Sequence, residues 1–235
     1  MRILITVPTW NEAVVIERNL ALLQAAIQKH LPEHNVMIEV ADNGSTDGTV
    51  ELIHGLPVQI FQIDQRGKGL AIRRSWERHL EDADILIFTD ADLAADLAAL
   101  PSLVDSIGRG EADLVCASRF VEGAVAERAL SREIASRLYR FLQRTILRLP
   151  VKDAQCGLKA ISSHAARQLL PRCQENGWMF DSELLAFATD GKFRVLEIPV
   201  RWVEHRDPRR RSAIRLFRHG WGFLAGLLRI RGRLP

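Results

Sequence analysis

The sequence predicts an α/β fold in which helices cover both faces of a mostly parallel sheet. Short apolar runs rich in β-branched residues alternate with helical stretches through the first 118 residues. Alternating elements of these lengths are typical of parallel sheets, because the crossover connections place helices on the two faces. The length of 235 residues predicts one domain with its own core.

Five strands and four helices are predicted in this first part of the chain. The strands span Ile3–Val7, Val36–Asp42, Gln59–Ile63, Ile85–Thr89 and Leu114–Ala117. The helices between them span Asn11–His30, Asp47–His54, Lys68–Leu80 and Leu97–Gly108. Ser45 or Asp47 is expected to cap the second helix. In such sheets ligands bind at the carboxyl ends of the strands, so the polar residues that follow each strand form the candidate site.

Two basic amphipathic helices are predicted in the second part of the chain. The segments Ser131–Leu149 and Ser212–Ile230 carry apolar residues at three- and four-residue spacing beside several arginines. Helices of this kind either lie in a membrane interface with arginine at the headgroups or pack one face on a core. Both alternatives stay open from the sequence.

Composition excludes several classes of protein. With 47% apolar and 26% charged residues, the chain is neither disordered nor fibrous. No apolar run reaches the roughly 18 residues that span a bilayer, and the first residues lack the features of a secretory signal. Three cysteines without a CxxC pair predict neither a disulfide framework nor a zinc site. These features predict a cytoplasmic location.

Positive charge is concentrated at the end of the chain. From Arg201 onward, ten arginines stand against two acidic residues, a charge of +8. Since the net charge is +3, the first 200 residues carry −5. This asymmetry predicts an anionic partner such as nucleic acid, a phosphate-bearing ligand or an anionic membrane, with a solvated tail as the alternative.

Three groups of residues carry candidate chemistry. Asp90 and Asp92 follow a buried strand and point the same way along an extended chain, which suits a hard divalent cation completed by diphosphate oxygens. A turn or a helix cap is the other role of such a pair. Asp42 ends the second strand and is placed to accept hydrogen bonds from a base or a ribose. Residues 66–69, R-G-K-G, precede a helix and are typical of a phosphate cradle.

These motifs, in their order along the chain, resemble family 2 glycosyltransferases with the GT-A fold. The resemblance rests on P-T-W-N-E at 8–12, D-N-G-S-T-D-G-T at 42–49, R-G-K-G at 66–69, D-A-D at 90–92 and S-R at 118–119. D-A-Q-C-G-L-K at 153–159, F-D-S-E-L-L at 180–185 and E-I-P-V-R-W at 197–202 resemble the branch that makes polyprenyl-phosphate sugars, such as dolichyl-phosphate mannose or glucose synthases. The resemblance implies a Rossmann-like sheet with a nucleotide-sugar half at 1–125 and an acceptor half at 126–235.

The resemblance also implies an activity and a donor site. It implies inverting transfer of a hexose from a UDP- or GDP-sugar to dolichyl or undecaprenyl phosphate, assisted by Mg²⁺ or Mn²⁺. Asp90 and Asp92 would hold the metal, which acts as a Lewis acid on the leaving diphosphate. The residues expected to bind the nucleotide sugar and its metal are Pro8, Glu12, Asp42, Lys68, Asp90 and Gln155.

Asp92, Arg119 and Asp153 are the candidate catalytic residues. A lipid phosphate is already ionised at neutral pH, so its oxygen attacks without a protein base, and catalysis then rests on positioning and charge neutralisation. Arg119, or less directly Arg132 or Arg211, would hold that phosphate. A sugar hydroxyl as acceptor would instead require a base, for which Asp153 is the candidate.

Two other functions stay open beside the lipid-linked transfer. One keeps the fold and donor but uses a soluble sugar, glycan or small molecule as acceptor. The other is a basic module that binds nucleic acid or an anionic membrane through a degenerate nucleotide site. The retained carboxylates and Lys68 argue against a degenerate site. With Tyr139 as the only tyrosine, an aromatic-rich RNA-binding signature is absent, so no nucleic-acid partner is expected.

The sequence departs from the family pattern near the predicted metal. Ala94 stands where some members have a further metal-side ligand, so water or Asp96 would replace that ligand. Cys156 lies inside a motif but is expected to pack as a small apolar residue. His205 lies close in sequence to the arginine cluster and is a lesser candidate for the acceptor side. The expected location is peripheral, on the inner face of the membrane, through the basic helices.

Overall fold

A seven-stranded sheet forms the centre of the protein, here described from a computed structural model. The structure describes residues 1–127, 130–203 and 220–234, with side chains except at 126–138 and 220–221. The spatial order of the strands is β3-β2-β1-β4-β7-β5-β8. Their bounds are β1 Arg2–Thr9, β2 Asn35–Asp42, β3 Gln59–Gln62, β4 Ile85–Thr89, β5 Leu114–Ser118, β7 Leu158–Ser162 and β8 Val195–Pro199. A separate two-stranded ribbon pairs β6 (Val125–Glu127) with β9 (Arg201–Val203).

Only one strand of the central sheet runs against the others among the described residues. β7 is antiparallel to β4 on one side and to β5 on the other, whereas the other neighbouring pairs are parallel. The start of β7 therefore lies at the edge where β4 and β5 end. This edge collects the carboxyl ends of the parallel strands and the residues that precede β7.

Helices cover both faces of the sheet, as the sequence predicts. Their bounds are α1 Ile16–His30, α2 Thr49–Ile53, α3 Lys68–Arg78, α4 Leu100–Gly108, α5 Leu130–Leu147, α6 Ser163–Leu169, α7 Phe180–Asp190 and α8 Gly220–Arg231. Single 3₁₀ turns at Leu97–Ala99 and Leu170–Arg172 adjoin α4 and α6. Within the described residues, the structure contains no helix with the length and apolar character needed to cross a bilayer.

The central strands are buried on both faces because their side chains alternate between two apolar cores. Ile3, Ile5 and Val7 of β1 pack with α1 and α4 in one core. Leu4, between them, packs in the other core with α3, α6 and α7 and the inner faces of α5 and α8. The alternation at every second residue is that of an extended strand.

The first five predicted strands are confirmed to within two residues at each end, and α1 shows the largest difference among the first four helices. α1 begins at Ile16 instead of Asn11. Asn11 has a positive φ of 54°, and its backbone N–H donates to Ser45 Oγ at 2.8 Å while its side-chain oxygen accepts from Thr46 N–H at 2.8 Å. Residues 11–13 thus bind the neighbouring loop instead of adding a helical turn. The cap expected at Ser45 or Asp47 is wrong, because Gly48, with a φ of 87°, is the residue before α2 and no side chain caps this helix. Asp47 instead accepts the Thr49 N–H at 3.1 Å.

The second half of the chain contains more structure than the sequence predicts. The first basic helix is confirmed as α5, which ends at Leu147 before Arg148 with its positive φ of 53°. The second basic helix is described only from Gly220 onward, because residues 204–219 lie outside the described residues. β6, β7, α6, α7, β8 and β9 carry no sequence prediction.

Candidate active site

Two loops at the carboxyl edge of the sheet are held together by hydrogen bonds. In the loop after β1, Glu12 N–H donates to Thr49 Oγ1 at 2.9 Å and Ala13 N–H donates to Asp47 Oδ2 at 3.1 Å. The Asn43 N–H donates back to Thr9 O at 2.8 Å. Pro8, in β1, lies in register with Ala41 of β2. The residues expected around the nucleoside therefore sit on a preorganised pair of loops.

Asp42 shapes the second of these loops. Its carboxylate is buried and accepts the backbone N–H groups of Gly44 and Ser45 at 3.1 and 2.9 Å, and the Ser45 hydroxyl at 2.5 Å. These bonds close a turn in which Gly44 has a φ of 73°, which glycine adopts readily. The expected contact of Asp42 with a base or ribose stays a prediction, and the turn that Asp42 builds is compatible with it.

Trp10 and Arg66 bring the loop after β1 to the start of α3. The Arg66 guanidinium carbon lies 4.3 Å from the centroid of the Trp10 ring, a cation–π distance. The indole N–H of Trp10 is buried and has no acceptor in the structure. Arg66 belongs to the predicted phosphate cradle at 66–69, whereas the sequence predicts no role for Trp10.

Lys68 and Asp90 form an ion pair at the centre of the edge. Lys68 Nζ lies 2.8 Å from Asp90 Oδ1, and the side chains are 8% and 31% exposed. Asp90 also rests against Gly157, because its backbone N–H donates to Gly157 O at 2.9 Å and a Cβ on Gly157 would overlap the carboxylate. Burial by itself lowers the pKa of Lys68, but Asp181 and Asp90 outweigh burial and raise the pKa above its usual value. Lys68 is therefore a permanent cation beside the predicted metal ligand.

The donor atoms fit a hard divalent cation. Asp90 and Asp92 would supply carboxylate oxygens, the ligands that Mg²⁺ and Mn²⁺ prefer. The extended chain predicted for them is wrong, because the Leu93 N–H donates to Asp90 O at 3.0 Å and closes a turn. Partial burial and the carboxylates of Asp92 and Asp181 raise the pKa of Asp90, while Lys68 opposes them. In the described ranges no three His, Cys, Asp or Glu side chains converge on one point, so diphosphate and water oxygens would complete the shell. Asp96 instead caps a 3₁₀ turn through Ala98 N–H at 2.9 Å.

Arg119 and Asp153 form a second, more buried pair beyond β5. Asp153 accepts Arg119 Nε–H and Nη2–H at 2.6 and 2.7 Å, and the Arg119 backbone N–H at 3.0 Å. Burial by itself raises the pKa of Asp153, but Arg119 lowers the pKa below its ordinary value. The side chains are 12% and 0% exposed. This geometry makes Asp153 the partner that orients Arg119, and a carboxylate held in this way is a weak base.

Gln155 and Cys156 follow Asp153 closely in sequence. Gln155 Nε2 donates to Ser182 Oγ at 3.0 Å, which places it at the start of α7. Cys156 is buried, and burial together with Asp153 raises its pKa to about 11, so the thiol stays protonated near neutral pH. This agrees with the predicted packing role of Cys156. Arg211 and His205 lie outside the described residues, as does the side chain of Arg132.

The comparison with known proteins identifies the family. Residues 4–170 match the family model of Glycosyl transferase family 2. The chain belongs to glycosyl transferase family 2. The resemblance inferred from the motifs is confirmed at the level of the family.

Relatives and solved structures agree with this assignment. Glycosyltransferase AglD of Haloferax volcanii is 34% identical over 86% of this chain and 33% of that protein. Dolichyl-phosphate beta-glucosyltransferases of Dictyostelium discoideum and Saccharomyces cerevisiae are 26% and 27% identical over 85% of this chain and 66% of each relative. The chain thus spans a third of AglD and just under two thirds of the other two.

The fold also matches that of a solved enzyme structure. Glucosyl-3-phosphoglycerate synthase from Mycobacterium tuberculosis, crystallised with Mn²⁺, UDP and glucosyl-3-phosphoglycerate, superposes with a TM-score of 0.74 at 22% identity. The match covers 100% of this chain and 81% of that structure. The predicted GT-A fold, a mostly parallel sheet flanked by helices, is confirmed.

The Arg119–Asp153 pair predicts a large effect on stability. Asp153→Asn should lower the free energy of unfolding by about 3–5 kcal/mol at pH 7, because it leaves a buried guanidinium without its counter-charge. Denaturant unfolding of both proteins measures the difference. The control Asp113→Asn breaks a pair with the exposed Arg194 and should cost below about 1 kcal/mol.

The same pair predicts how the free energy of unfolding changes with pH. A carboxyl whose pKa is lowered in the folded state stabilises that state above its unfolded pKa of about 3.9. This contribution disappears as the pH falls through the folded pKa. The difference between the parent protein and Asp153→Asn should therefore shrink below about pH 4, and a difference independent of pH would contradict the ion pair.

Proposed function

We propose that this chain is an inverting glycosyltransferase that moves a hexose from a UDP- or GDP-sugar to polyprenyl phosphate. The names of its relatives support this acceptor, since two of them are dolichyl-phosphate beta-glucosyltransferases. The carboxyl edge of the sheet supports a nucleotide-sugar site, because it joins Lys68 to Asp90 between preorganised loops. The donor, the acceptor and the inversion are all part of this proposal, because the family assignment alone does not specify them.

The ion pair of Asp153 with Arg119 is the observation that favours a phosphate over a hydroxyl group as acceptor. Three N–H groups of Arg119 bind its carboxylate, and its pKa is lowered, so it is poorly suited to remove a proton from a sugar hydroxyl. An ionised phosphate attacks without that step. In the proposed reaction Asp153 fixes Arg119, and Arg119 offers its charge to the acceptor phosphate.

The donor side depends on matched charges. Asp90 and Asp92 would hold the divalent cation, and the Mn²⁺ in the glucosyl-3-phosphoglycerate synthase complex supports such use. When bound, the cation supplies Lewis-acid neutralisation of the departing diphosphate. Lys68 adds a buried positive charge at the same place, and Glu12, Asp42, Pro8 and Gln155 surround the nucleotide sugar.

A transfer assay tests this proposal. Purified protein with a divalent cation and labelled UDP- or GDP-hexoses should move label into the organic phase only when polyprenyl phosphate in detergent is present. Asp92→Asn should lower the rate by about 100-fold or more, because one of the two carboxylates proposed to hold the cation loses its charge. Asp105→Asn, on the exposed surface of α4 beside Arg109, is the matched control and should keep the rate.

Two results would contradict the proposal. Transfer to 3-phosphoglycerate but not to the lipid would agree with the proposed donor site, but it would show that the acceptor is a soluble phosphorylated compound. Full activity of Asp92→Asn would remove this carboxylate from the metal site.

We further propose that α5 and α8 bring the enzyme to the inner face of the membrane. The two helices pack together through Tyr139 and Phe223, whose ring centroids are 5.1 Å apart. Phe141 on α5 is 65% exposed and Leu228 on α8 is 56% exposed. Exposed Arg144 supplies positive charge on α5. Apolar tips beside arginines suit an anionic lipid surface.

Vesicle binding tests this surface. Phe141→Glu should weaken binding to vesicles rich in anionic phospholipid by about tenfold or more, because a phenyl group is replaced by a charge that the lipid repels. Co-sedimentation measures the change. Leu22→Glu is the control, since Leu22 is 54% exposed on α1, at the other face of the sheet. Equal losses for the two variants would contradict a surface on α5.

A further inference from the structure

Asp181, at the start of α7, connects two buried lysines beneath the candidate site. Its Oδ1 lies 2.5 Å from Lys159 Nζ, and its Oδ2 lies 3.5 Å from Lys68 Nζ. Asp181 and Lys159 are 1% and 0% exposed. The lysines are 4.9 and 5.2 Å from the centroid of the Phe88 ring. Asp181 is therefore a buried carboxylate shared by two ammonium groups.

Lys68 has two carboxylates within reach and is closer to one of them. Its Nζ is 2.8 Å from Asp90 and 3.5 Å from Asp181. A divalent cation on Asp90 would compete with this ammonium for the same carboxylate, because the two like charges repel strongly in a poorly solvated site. The buried ammonium then needs another counter-charge, since an unpaired buried charge is costly.

The backbone around Lys68 is fixed, so its side chain must make any adjustment. The Leu70 N–H donates to Asn176 O at 3.0 Å. A Cβ on Gly69 would lie 2.6 Å from Glu175 O, which shows how closely the 175–180 segment packs on the first turn of α3. Because Lys68 Nζ is 2.8 Å from Asp90 and 3.5 Å from Asp181, a small rotation of the side chain is enough to exchange the closer partner.

Lys159 holds Asp181 ready as that second partner. Its Nζ donates to Cys156 O at 2.6 Å as well as to Asp181 Oδ1, so the ammonium is anchored on both sides. With one oxygen bound to Lys159, the other oxygen of Asp181 lies toward Lys68. The Asp181 carboxylate is thereby oriented between the two lysines.

We propose that Asp181 is a positioning residue that receives the Lys68 ammonium when Asp90 turns to a divalent cation and the donor diphosphate. This inference rests on the proposed function. Lys68 acts as an internal counter-ion of Asp90 in the ligand-free protein. On Asp181 it stays beside the diphosphate without competing for Asp90.

A double-mutant cycle on Mn²⁺ binding tests the exchange. Electron paramagnetic resonance titration with Mn²⁺, in the presence of UDP or GDP, gives the affinity without any turnover. Asp181→Asn should weaken Mn²⁺ binding about tenfold in the parent protein. Of the two carboxylates near Lys68, only Asp90 is then left, so the ammonium competes with Mn²⁺ for it. In a Lys68→Met background the same change should alter the affinity less than about twofold.

The cycle separates exchange from general electrostatics. An equal loss in both backgrounds would overturn the proposal, because removing a nearby negative charge would then act through space without Lys68. If Asp181→Asn alone leaves the Mn²⁺ affinity unchanged, the proposal is overturned too, but the proposed function is not affected. Absence of Mn²⁺ binding to the parent protein with either nucleotide would overturn both.

Two further variants distinguish a specific effect of Asp181→Asn from misfolding. Asp190→Asn, at the other end of α7 and paired with Arg172, is the matched control and should bind Mn²⁺ as the parent protein does. If Asp181→Asn does not fold, the double variant Lys159→Met, Asp181→Asn removes the unpaired buried ammonium along with the carboxylate. It should show the same tenfold loss, and parent-like affinity would overturn the proposal.

Discussion

Strand β7 runs antiparallel between β4 and β5, so it begins at the edge where both neighbours end. This one pairing sets the positions of the charged groups. Gly157, just before β7, backs the Asp90 carboxylate, and Lys159, within β7, reaches Asp181 below it. Asp153, a few residues earlier, meets Arg119 at the end of β5. Without the reversed strand, these residues would lie at opposite edges of the sheet.

The buried charges are matched in pairs, and this matching has more to do with function than with stability. Replacing a buried ion pair with apolar residues is often neutral or stabilising, so such pairs are weak evidence for a stabilising role. Here Lys68 and Lys159, which pair with Asp90 and Asp181, lie 4.9 and 5.2 Å from the centroid of the apolar Phe88 ring. Their arrangement keeps positive charge next to the expected diphosphate in a poorly solvated place, where electrostatic interactions are strong.

Much of the donor side can be predicted from sequence, because the signals there are local. Strands β1 to β5 carry apolar runs, and the polar residues that follow them are confirmed to lie at one edge of the sheet. The helix predicted from Asn11 begins later, since Asn11 binds the neighbouring loop, a contact 34 residues away in sequence. Local propensity does not register such a contact.

The second half is harder to predict because its signals are non-local. β7 contains the fully buried Lys159, and a lysine argues against a buried strand unless its partner is known. That partner, Asp181, lies 22 residues later in a helix. The motifs 153–159 and 180–185 were visible in the sequence, but their role as two halves of one ion pair appears only in the fold.

The central claim is that the carboxyl edge of the sheet binds a nucleoside diphosphate and a divalent cation at Asp90. A crystal structure of the protein with UDP or GDP and Mn²⁺ tests it most directly. The cation should lie on Asp90 and Asp92, with Lys68 Nζ moved to within hydrogen-bond distance of Asp181. A nucleotide bound away from this edge, with the Lys68–Asp90 pair intact, would contradict this assignment.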